Sequence, residues 1–203
     1  MKRMANSTGP DDFALCARAA AGDEEAFAEL FRRRQGQVYR FAMKMGATPA
    51  VAEEVTQEVF LALLNQLDRV NREAGALSTL LYAIARNQLL RHLSRNGREI
   101  PGKETMPEPA AAEPGPFEQF AARQRTEQLR VAVLSLPAHY REVIVLCDLE
   151  ELSQEDAARV LGCPAGTVKS RLFRARQQLW DRLQERESAA GNSRGGVTVR
   201  CLA

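Results

Sequence analysis

The residues best suited to chemistry lie between positions 152 and 180, where two short helices joined by a tight turn are predicted. The second helix carries four cations and no acidic residue over positions 167–178. Ser153 is suited to cap the first helix, Gly162 to end it in the left-handed conformation, and Pro164 to occupy the first turn of the next helix. This layout is typical of a helix-turn-helix whose second helix enters the major groove of DNA.

The second helix presents two faces of different chemistry. Apolar residues recur at helical spacing from Val168 to Leu179 and predict one narrow buried stripe. Phe173 lies on the opposite face, where contact with a thymine methyl group suits it, while arginines suit phosphates or guanine edges. A solvated basic helix with one stray aromatic residue is the alternative, but turn chemistry, charge segregation and Phe173 together favour DNA binding. The outward face comprises Lys169, Ser170, Arg171, Phe173, Arg174 and Gln177.

A second candidate surface lies on the helix predicted for residues 77–93. Its outer side combines an aromatic ring, guanidinium groups and an amide. Such a set can stack on an unpaired base, hold phosphate and hydrogen-bond a base edge. An ordinary polar helix face explains the same residues equally well. The side chains on this side are those of Thr79, Tyr82, Arg86 and Asn87, with Arg91 at the edge.

A third candidate surface is acidic. Thr48 and Pro49 are predicted to start a helix whose apolar stripe runs from Val51 to Leu63 at i, i+4 spacing. Carboxylates on the other side of this helix could be imagined as catalytic, but a solvated or partner-binding face is the better interpretation on an amphipathic helix. The residues on that side are Glu53, Glu54, Gln57 and Glu58.

Composition and proline placement predict an all-α fold of two small helical domains. Ala, Leu, Glu, Arg and Gln dominate the chain, which favours helices. Five of the nine prolines lie between Ile100 and Phe117, so a flexible Pro-rich linker is expected there. The predicted organisation is a three- or four-helix domain over 11–96, a linker over 97–117, a four-helix domain with the helix-turn-helix over 118–187, and a disordered tail over 188–203.

Several classes of protein are not supported by this sequence. It contains no nucleophile–base pair, no metal-ligand spacing and no phosphate-binding glycine loop, so neither an enzyme nor a metal or other cofactor is expected. The net charge of +2 means that any nucleic-acid surface depends on local segregation of charge. With no membrane-length apolar run and no secretory signal, a cytoplasmic protein with free thiols is expected. The cysteines are Cys16, Cys147, Cys163 and Cys201, and none forms a close zinc-type pair.

Three stretches together resemble the extracytoplasmic-function (ECF) sigma factors of bacterial RNA polymerase. Residues 136–179 closely resemble region 4 of that family, residues 52–70 look like region 2.2, and residues 77–95 resemble regions 2.3 and 2.4. The two modules occur in the family's order, with a linker in place of region 3. Similar helix-turn-helices occur in many response regulators, so region 4 alone would be unspecific, whereas the combination is highly specific.

The resemblance implies a factor that binds core RNA polymerase, reads the −35 element of promoter DNA and melts the −10 element. In the family, region 2.2 contacts a coiled coil of the largest polymerase subunit, and the helix that matches residues 77–93 captures flipped bases of the non-template strand. Capture offsets the cost of unstacking those bases. Asn87 matches the position nearest the flipped base, and the loop over 70–76 matches the one that cradles it. An anti-sigma partner is also implied.

The resemblance assigns contact residues to each of these partners. Two departures from the family bear on the −10 preference: Leu80 stands where a tryptophan is usual, and the loop over 70–76 is about one residue longer and lacks the usual aromatic. The assigned contacts are Glu54, Gln57 and Glu58 for core polymerase, Tyr82, Arg86, Asn87 and Arg91 for the −10 element, and Lys169, Ser170, Arg171, Phe173, Arg174 and Arg176 for the −35 element.

A helix-turn-helix regulator that binds DNA as a dimer is the second interpretation. It explains the C-terminal motif equally well and gives the N-terminal module a role in dimerisation or signal sensing. It does not explain an acidic helix followed by the polar face of the helix over 77–93. It also predicts two-fold-symmetric DNA sites, whereas a sigma factor alone is a monomer that reads two unlike elements.

Overall fold

The described part of the chain is built from helices. The computed structural model describes residues 11–70, 76–96 and 116–192, and no strand occurs in those ranges, which confirms the predicted all-α class. None of the helices in these ranges is both long and apolar enough to cross a lipid bilayer. The helices are α1 (Asp12–Ala20), α2 (Glu24–Met45), α3 (Pro49–Leu64), α4 (Leu77–Asn96), α5 (Pro116–Leu134), α6 (Ala138–Ile144), α7 (Gln154–Leu161) and α8 (Ala165–Asn192), with a 3₁₀ turn over Leu67–Arg69 and a π turn over Val145–Leu149.

Helix ends in the N-terminal part fall where caps and glycine place them. Asp23 caps α2 by accepting a hydrogen bond from a backbone N–H at 3.0 Å, and Thr48 caps α3 in the same way, ahead of Pro49. Gly46 ends α2 with a φ of 99°, a left-handed conformation that glycine adopts without steric cost. The predicted start of α3 at Thr48 and Pro49 is therefore confirmed.

Helices α1 to α4 pack around a core of aliphatic and aromatic side chains. Leu30, Val55 and Leu81 are fully buried at its centre. Phe60 extends the core, with its ring centroid 4.8 Å from that of Phe31 in an edge-to-face arrangement. Because each large buried side chain contributes about 1.5–3 kcal/mol, tertiary packing stabilises these helices more than their intrinsic propensity does.

Helices α7 and α8 form the predicted helix-turn-helix. Ser153 caps α7 by accepting a backbone N–H at 3.0 Å, and Gly162 ends it in the left-handed region with a φ of 65°. Pro164 lies directly before α8, where its carbonyl accepts N–H groups of the first turn, so it precedes that turn instead of occupying it. The buried stripe of α8 is confirmed, and it includes Val168, Leu172 and Ala175.

The two helical groups pack against each other, although the sequence predicted modules joined by a flexible linker. Helix α4 lies against α7, and α2 contacts α5 and the π turn. Buried residues from both groups belong to one continuous core. Residues 71–75 of the predicted DNA-cradling loop, residues 97–115 of the predicted linker and residues 193–203 of the predicted tail lie outside the described residues. Helix α8 runs to Asn192, and the domain boundaries stay a prediction.

Gly162→Ala is expected to lower the free energy of unfolding by about 1–2 kcal/mol, because a residue with a side chain is strained at this left-handed φ. Chemical denaturation followed by far-UV circular dichroism measures the change. Gly166→Ala is the matched control: at both positions an added methyl group would meet open space, but Gly166 lies within α8, where alanine is favoured. Equal losses in the two variants would contradict the backbone explanation.

Candidate nucleic-acid interface

The outward face of α8 is open to solvent. Phe173 exposes 64% of its surface, and Arg174 beside it is exposed as well, so neither side chain helps to pack the domain. Lys169 and Arg174 make no ion pair with side chains that the structure describes, and they are free to meet phosphates. Of the six residues assigned to the −35 element, only Arg171 is half-buried; the exposed ones are Lys169, Ser170, Phe173, Arg174 and Arg176.

Arg176 is held by an acidic partner within the same domain. Its guanidinium donates two hydrogen bonds to Asp148 of the π turn, from Nε at 3.0 Å and from the terminal nitrogen at 2.5 Å. This bidentate hydrogen bonding raises the pKa of Arg176 above its usual value. The pair lies at the surface, so a DNA phosphate would have to compete with Asp148 for this guanidinium.

Tyr82 on α4 is buried, whereas the sequence predicted an outward position for it. Its exposed fraction is 0%, and the residues that contact its hydroxyl and its ring come from α2 and from Glu150 after the π turn. The Tyr82 hydroxyl donates a hydrogen bond to the Glu150 carboxylate and accepts one from Gln37 at 2.5 Å, while its ring lies 4.8 Å from that of Phe41. Burial, and then the hydrogen bond to Glu150, raises the pKa of Tyr82 well above its ordinary value.

Arg86 also faces the C-terminal domain. Its Nε donates a hydrogen bond to the Glu142 carboxylate at 2.7 Å, and the Glu142 side chain is only 9% exposed. Lys44 of α2 completes this set through an ion pair of 2.8 Å with Glu150. We define the interdomain contact as Lys44, Tyr82 and Arg86 on one side and Glu142 and Glu150 on the other.

The four residues assigned to the −10 element are therefore divided into two pairs. Tyr82 and Arg86 belong to the interdomain contact, whereas Asn87 and Arg91 are exposed on the adjacent part of α4. The prediction that all four share one accessible surface is wrong for this conformation. The reason is physical: the outer face of α4 is polar, and the C-terminal domain supplies complementary carboxylates that cover part of it.

The acidic face of α3 contains an apolar component that was not predicted from the sequence. Glu54 and Gln57 are exposed and Glu58 is half-buried, as expected for a partner-binding face. Leu61 and Leu64 continue the same face, with 62% and 48% of their surfaces exposed. Their spacing of four and seven residues from Gln57 is the sequence signal that could have identified them.

A groove of about 280 Å³ lies between α3 and α4 beside this face, with Leu61, Gln88 and Arg91 in its lining. Here His92 approaches two carboxylates, with Nε2 at 3.3 Å from Glu58 and Nδ1 at 3.9 Å from Glu54. The potential ligand atoms of these three residues lie within 4.8 Å of one another. Pairing between the imidazole and the carboxylates accounts for this proximity without a metal ion.

Comparison with protein families matches both helical groups. Residues 30–99 match the family described as Sigma-70 region 2, and residues 126–179 match the family described as Sigma-70, region 4. The chain therefore contains the two conserved regions of sigma-70-type factors. It is 34% identical over 181 residues to the ECF RNA polymerase sigma factor SigE of Mycolicibacterium smegmatis, covering 86% of this chain and 69% of that protein. It is also 33% identical over 186 residues to the ECF RNA polymerase sigma-E factor of Escherichia coli, covering 85% and 94%.

The chain thus belongs to the ECF family of RNA polymerase sigma factors, and solved structures agree. One neighbour is CnrH in complex with the cytosolic domain of CnrY, with a TM-score of 0.64 and 28% identity over 86% of this chain and 97% of that one. Another is the sigma factor RpoE in complex with the anti-sigma factor NepR from Bartonella quintana, with a TM-score of 0.61 and 26% identity over 78% and 96%.

The raised pKa of Tyr82 predicts a loss of stability in base. The folded chain keeps this phenol protonated, whereas the unfolded chain ionises it near the ordinary value of 10.0. Its contribution to stability is therefore full below about pH 10 and is lost as the pH rises from there toward the folded pKa. Denaturant titrations of wild type and Tyr82→Phe measure the difference in unfolding free energy, expected to be about 1–2 kcal/mol at neutral pH and smaller in base.

Tyr140→Phe is the control for this measurement. It also removes a phenolic hydroxyl, but one without a hydrogen bond to any side chain that the structure describes. It should therefore leave the neutral-pH stability nearly unchanged. A wild-type minus Tyr82→Phe difference that stays constant from about pH 8 to about pH 11 would contradict the assignment.

Proposed function

We propose that this chain is a transcription initiation factor that binds core RNA polymerase and gives it promoter specificity, without catalysing a reaction itself. Membership of the ECF family is the observation that carries this proposal. The exposed basic face of α8 and the polar side of α4 supply the surfaces that the two promoter elements require. In this proposal the protein acts in the cytoplasm and needs no cofactor.

The −35 element is assigned to α8. Arginine and lysine side chains can bind phosphates or guanine edges in the major groove, and exposed Phe173 can contact a thymine methyl group. The arrangement of Ser153 and Gly162 fixes the turn before α8 and so fixes how this helix is presented. The contacting residues in this proposal are Lys169, Ser170, Arg171, Phe173, Arg174 and Arg176.

The −10 element is assigned to α4 in single-stranded form. Asn87 can hydrogen-bond a flipped base and Arg91 can bind a phosphate, and both are exposed. Tyr82 can stack on a base only after its present packing changes, because its ring is fully buried and lies against α2. Arg86 can bind phosphate in place of its present ion pair with Glu142.

Core polymerase is assigned to the outer face of α3. Glu54, Gln57 and Glu58 supply carboxylate and amide groups that suit a basic partner helix. The exposed Leu61 and Leu64 add apolar area to the same face, which fits a surface covered in a complex better than one facing water.

An anti-sigma factor is proposed as a further partner. RpoE of Bartonella quintana, a structural neighbour of this chain, is bound to an anti-sigma factor. Such a partner would occlude polymerase-binding faces of both domains. Purification of the tagged protein from its native cells under several growth conditions tests this: recovery with polymerase subunits as its sole partners in every condition would count against it.

Transcription in vitro tests the proposed function directly. The purified protein is mixed with sigma-free core RNA polymerase and fragmented genomic DNA from its source, and the 5′ ends of transcripts are sequenced. Discrete starts that share two upstream motifs, and that are absent with core enzyme alone, are expected. Specific DNA binding by the protein alone, as a dimer and without new starts, would favour the helix-turn-helix regulator instead.

Asn87→Ala is expected to reduce open-complex formation while leaving association with core polymerase unchanged. The residue is exposed, so its loss removes a base contact without disturbing the core of the domain. Permanganate reactivity of unpaired thymines measures promoter opening, and native gel electrophoresis measures core binding. Loss of core binding in this variant would show that the division of roles between α3 and α4 is wrong.

Arg174→Ala is expected to weaken binding of the reconstituted holoenzyme to a double-stranded −35 element by on the order of 1–3 kcal/mol. The effect should depend on the base sequence of that element if Arg174 contacts a base edge. Arg125→Ala is the control, since it removes the same charge from an exposed position on α5. Equal losses of affinity in both variants would indicate a general charge effect.

A further inference from the structure

Helix α8 carries a second large aromatic side chain that does not help to pack its domain. Trp180 exposes 64% of its surface, the same fraction as Phe173, and it is the only tryptophan in the chain. Leu179, directly before it, packs against the core, and Arg182 donates a hydrogen bond to Ser135 at 3.2 Å from the other side of the helix. The indole of Trp180 therefore faces away from its own domain.

Trp180 and Phe173 share one face of α8. At about 100° per residue, side chains seven residues apart point within about 20° of the same direction. At a rise of about 1.5 Å per residue, they lie about 10 Å apart along the helix. The residues at helical spacing around these two are all exposed, and none of them is acidic. We define the α8 stripe as Lys169, Phe173, Gln177, Trp180 and Gln184.

The α8 stripe is long enough to reach past the base edges of a major groove. That groove is about 12 Å wide. With Phe173 at the base edges, a side chain about 10 Å further along a helix that crosses the groove lies at the groove wall, where deoxyribose and phosphate groups are. An indole suits this position, because its ring can pack on the sugar and its N–H, which can only donate, matches a phosphate oxygen.

The surroundings of Trp180 favour a nucleic acid over a protein as its partner. On the stripe the indole lies between the amide side chains of Gln177 and Gln184, so it is not part of an apolar patch. Over the part of α8 whose side chains the structure describes, Phe173 is the only other exposed large apolar residue, whereas protein-binding hot spots cluster in apolar pockets. Asp181 points about 100° away from Trp180, which keeps its negative charge off the stripe.

We propose that Trp180 is a further DNA-binding residue: its indole N–H donates a hydrogen bond to a phosphate of the −35 duplex, and its ring packs on the adjoining deoxyribose. This inference rests on the proposed function and extends the surface assigned to α8 by about two helical turns beyond Phe173. Contacts with sugar and phosphate carry no base information. Trp180 therefore adds affinity and fixes the direction of α8 across the groove, while Phe173 contacts a base.

Fluorescence quenching tests the contact directly. The chain is prepared with 5-hydroxytryptophan, which can be excited at wavelengths that the tryptophans of core polymerase do not absorb, so the signal comes from position 180 alone. Acrylamide should quench it strongly in the free chain and in the holoenzyme without DNA. Quenching should fall severalfold when the holoenzyme binds a duplex that carries the −35 element obtained from mapped transcription starts. Fluorescence anisotropy of a labelled duplex reports binding independently.

The other outcomes of this experiment overturn the proposal in distinguishable ways. Strong quenching that persists while anisotropy shows the duplex bound would refute the contact and leave the proposed function standing. Protection from acrylamide by core polymerase alone, with none added by DNA, would place Trp180 in a protein interface instead. Failure of the holoenzyme to bind the duplex would refute the −35 assignment and the contact together.

Substitutions at Trp180 separate the two parts of the contact. Trp180→Ala is expected to lower the affinity of the holoenzyme for the duplex about tenfold, the scale of one hydrogen bond to a charged group. Trp180→Phe keeps a ring without the N–H and should show an intermediate loss. Both losses should persist when the bases of the −35 element are exchanged, whereas Phe173→Ala should reduce binding mainly to the natural sequence. A loss in Trp180→Ala confined to the natural sequence would contradict a contact with the DNA backbone.

Leu90→Ala is the matched control for Trp180→Ala. Leu90 lies on α4 and is 43% exposed, so its truncation also removes an exposed apolar side chain, but outside α8. It should leave the affinity for the duplex unchanged. Equal losses in the two variants would show that the indole makes no particular contact with DNA. The quenching experiment uses no substitution, so its outcome does not depend on how any variant folds.

Discussion

A carboxylate buried between two domains is tolerated only when other groups satisfy it, and Glu142 and Glu150 are satisfied by residues of the N-terminal domain. Their partners include Tyr82 and Arg86, so the packing of the domains and the accessibility of α4 are one property. Helix α8 supplies none of the residues of this contact, and its basic face stays exposed. In this conformation the surface of α8 assigned to double-stranded DNA is accessible. Of the four residues assigned to single-stranded DNA, Tyr82 and Arg86 are not.

Much of the fold follows from local chemistry and is predictable from the sequence. Caps, left-handed glycines and helical periodicity act over a few residues, which is why Ser153, Gly162 and Gly46 mark helix ends correctly. The two faces of α8 were predictable for the same reason. A single apolar stripe requires one buried face, and the exposure of Phe173 on the opposite side then follows from geometry.

The interdomain contact was not predictable in this way. Periodicity shows which side chains share a face, but not what covers that face. Arg86 and Glu142 lie 56 positions apart, and Tyr82 and Glu150 lie 68 apart, so no local pattern links them. A polar contact also leaves no hydrophobic signal in the sequence. The exposed leucines of α3 are a different case, because their helical spacing from Gln57 is visible in the sequence. The carboxylates beside them led to an interpretation of this face as acidic alone.

The ion pair between Arg176 and Asp148 has a consequence for the ionic-strength dependence of DNA binding. Each phosphate that a protein neutralises releases condensed counterions, and the logarithm of the binding constant falls by roughly 0.9 per decade of salt for each such phosphate. While Asp148 neutralises Arg176, the cations over positions 167–178 of α8 that can act on phosphates number three instead of four: Lys169, Arg171 and Arg174. The expected slope from this stretch is then roughly 2.7 instead of roughly 3.6. This stretch of α8 therefore retains more of its affinity as salt rises than its four cations suggest.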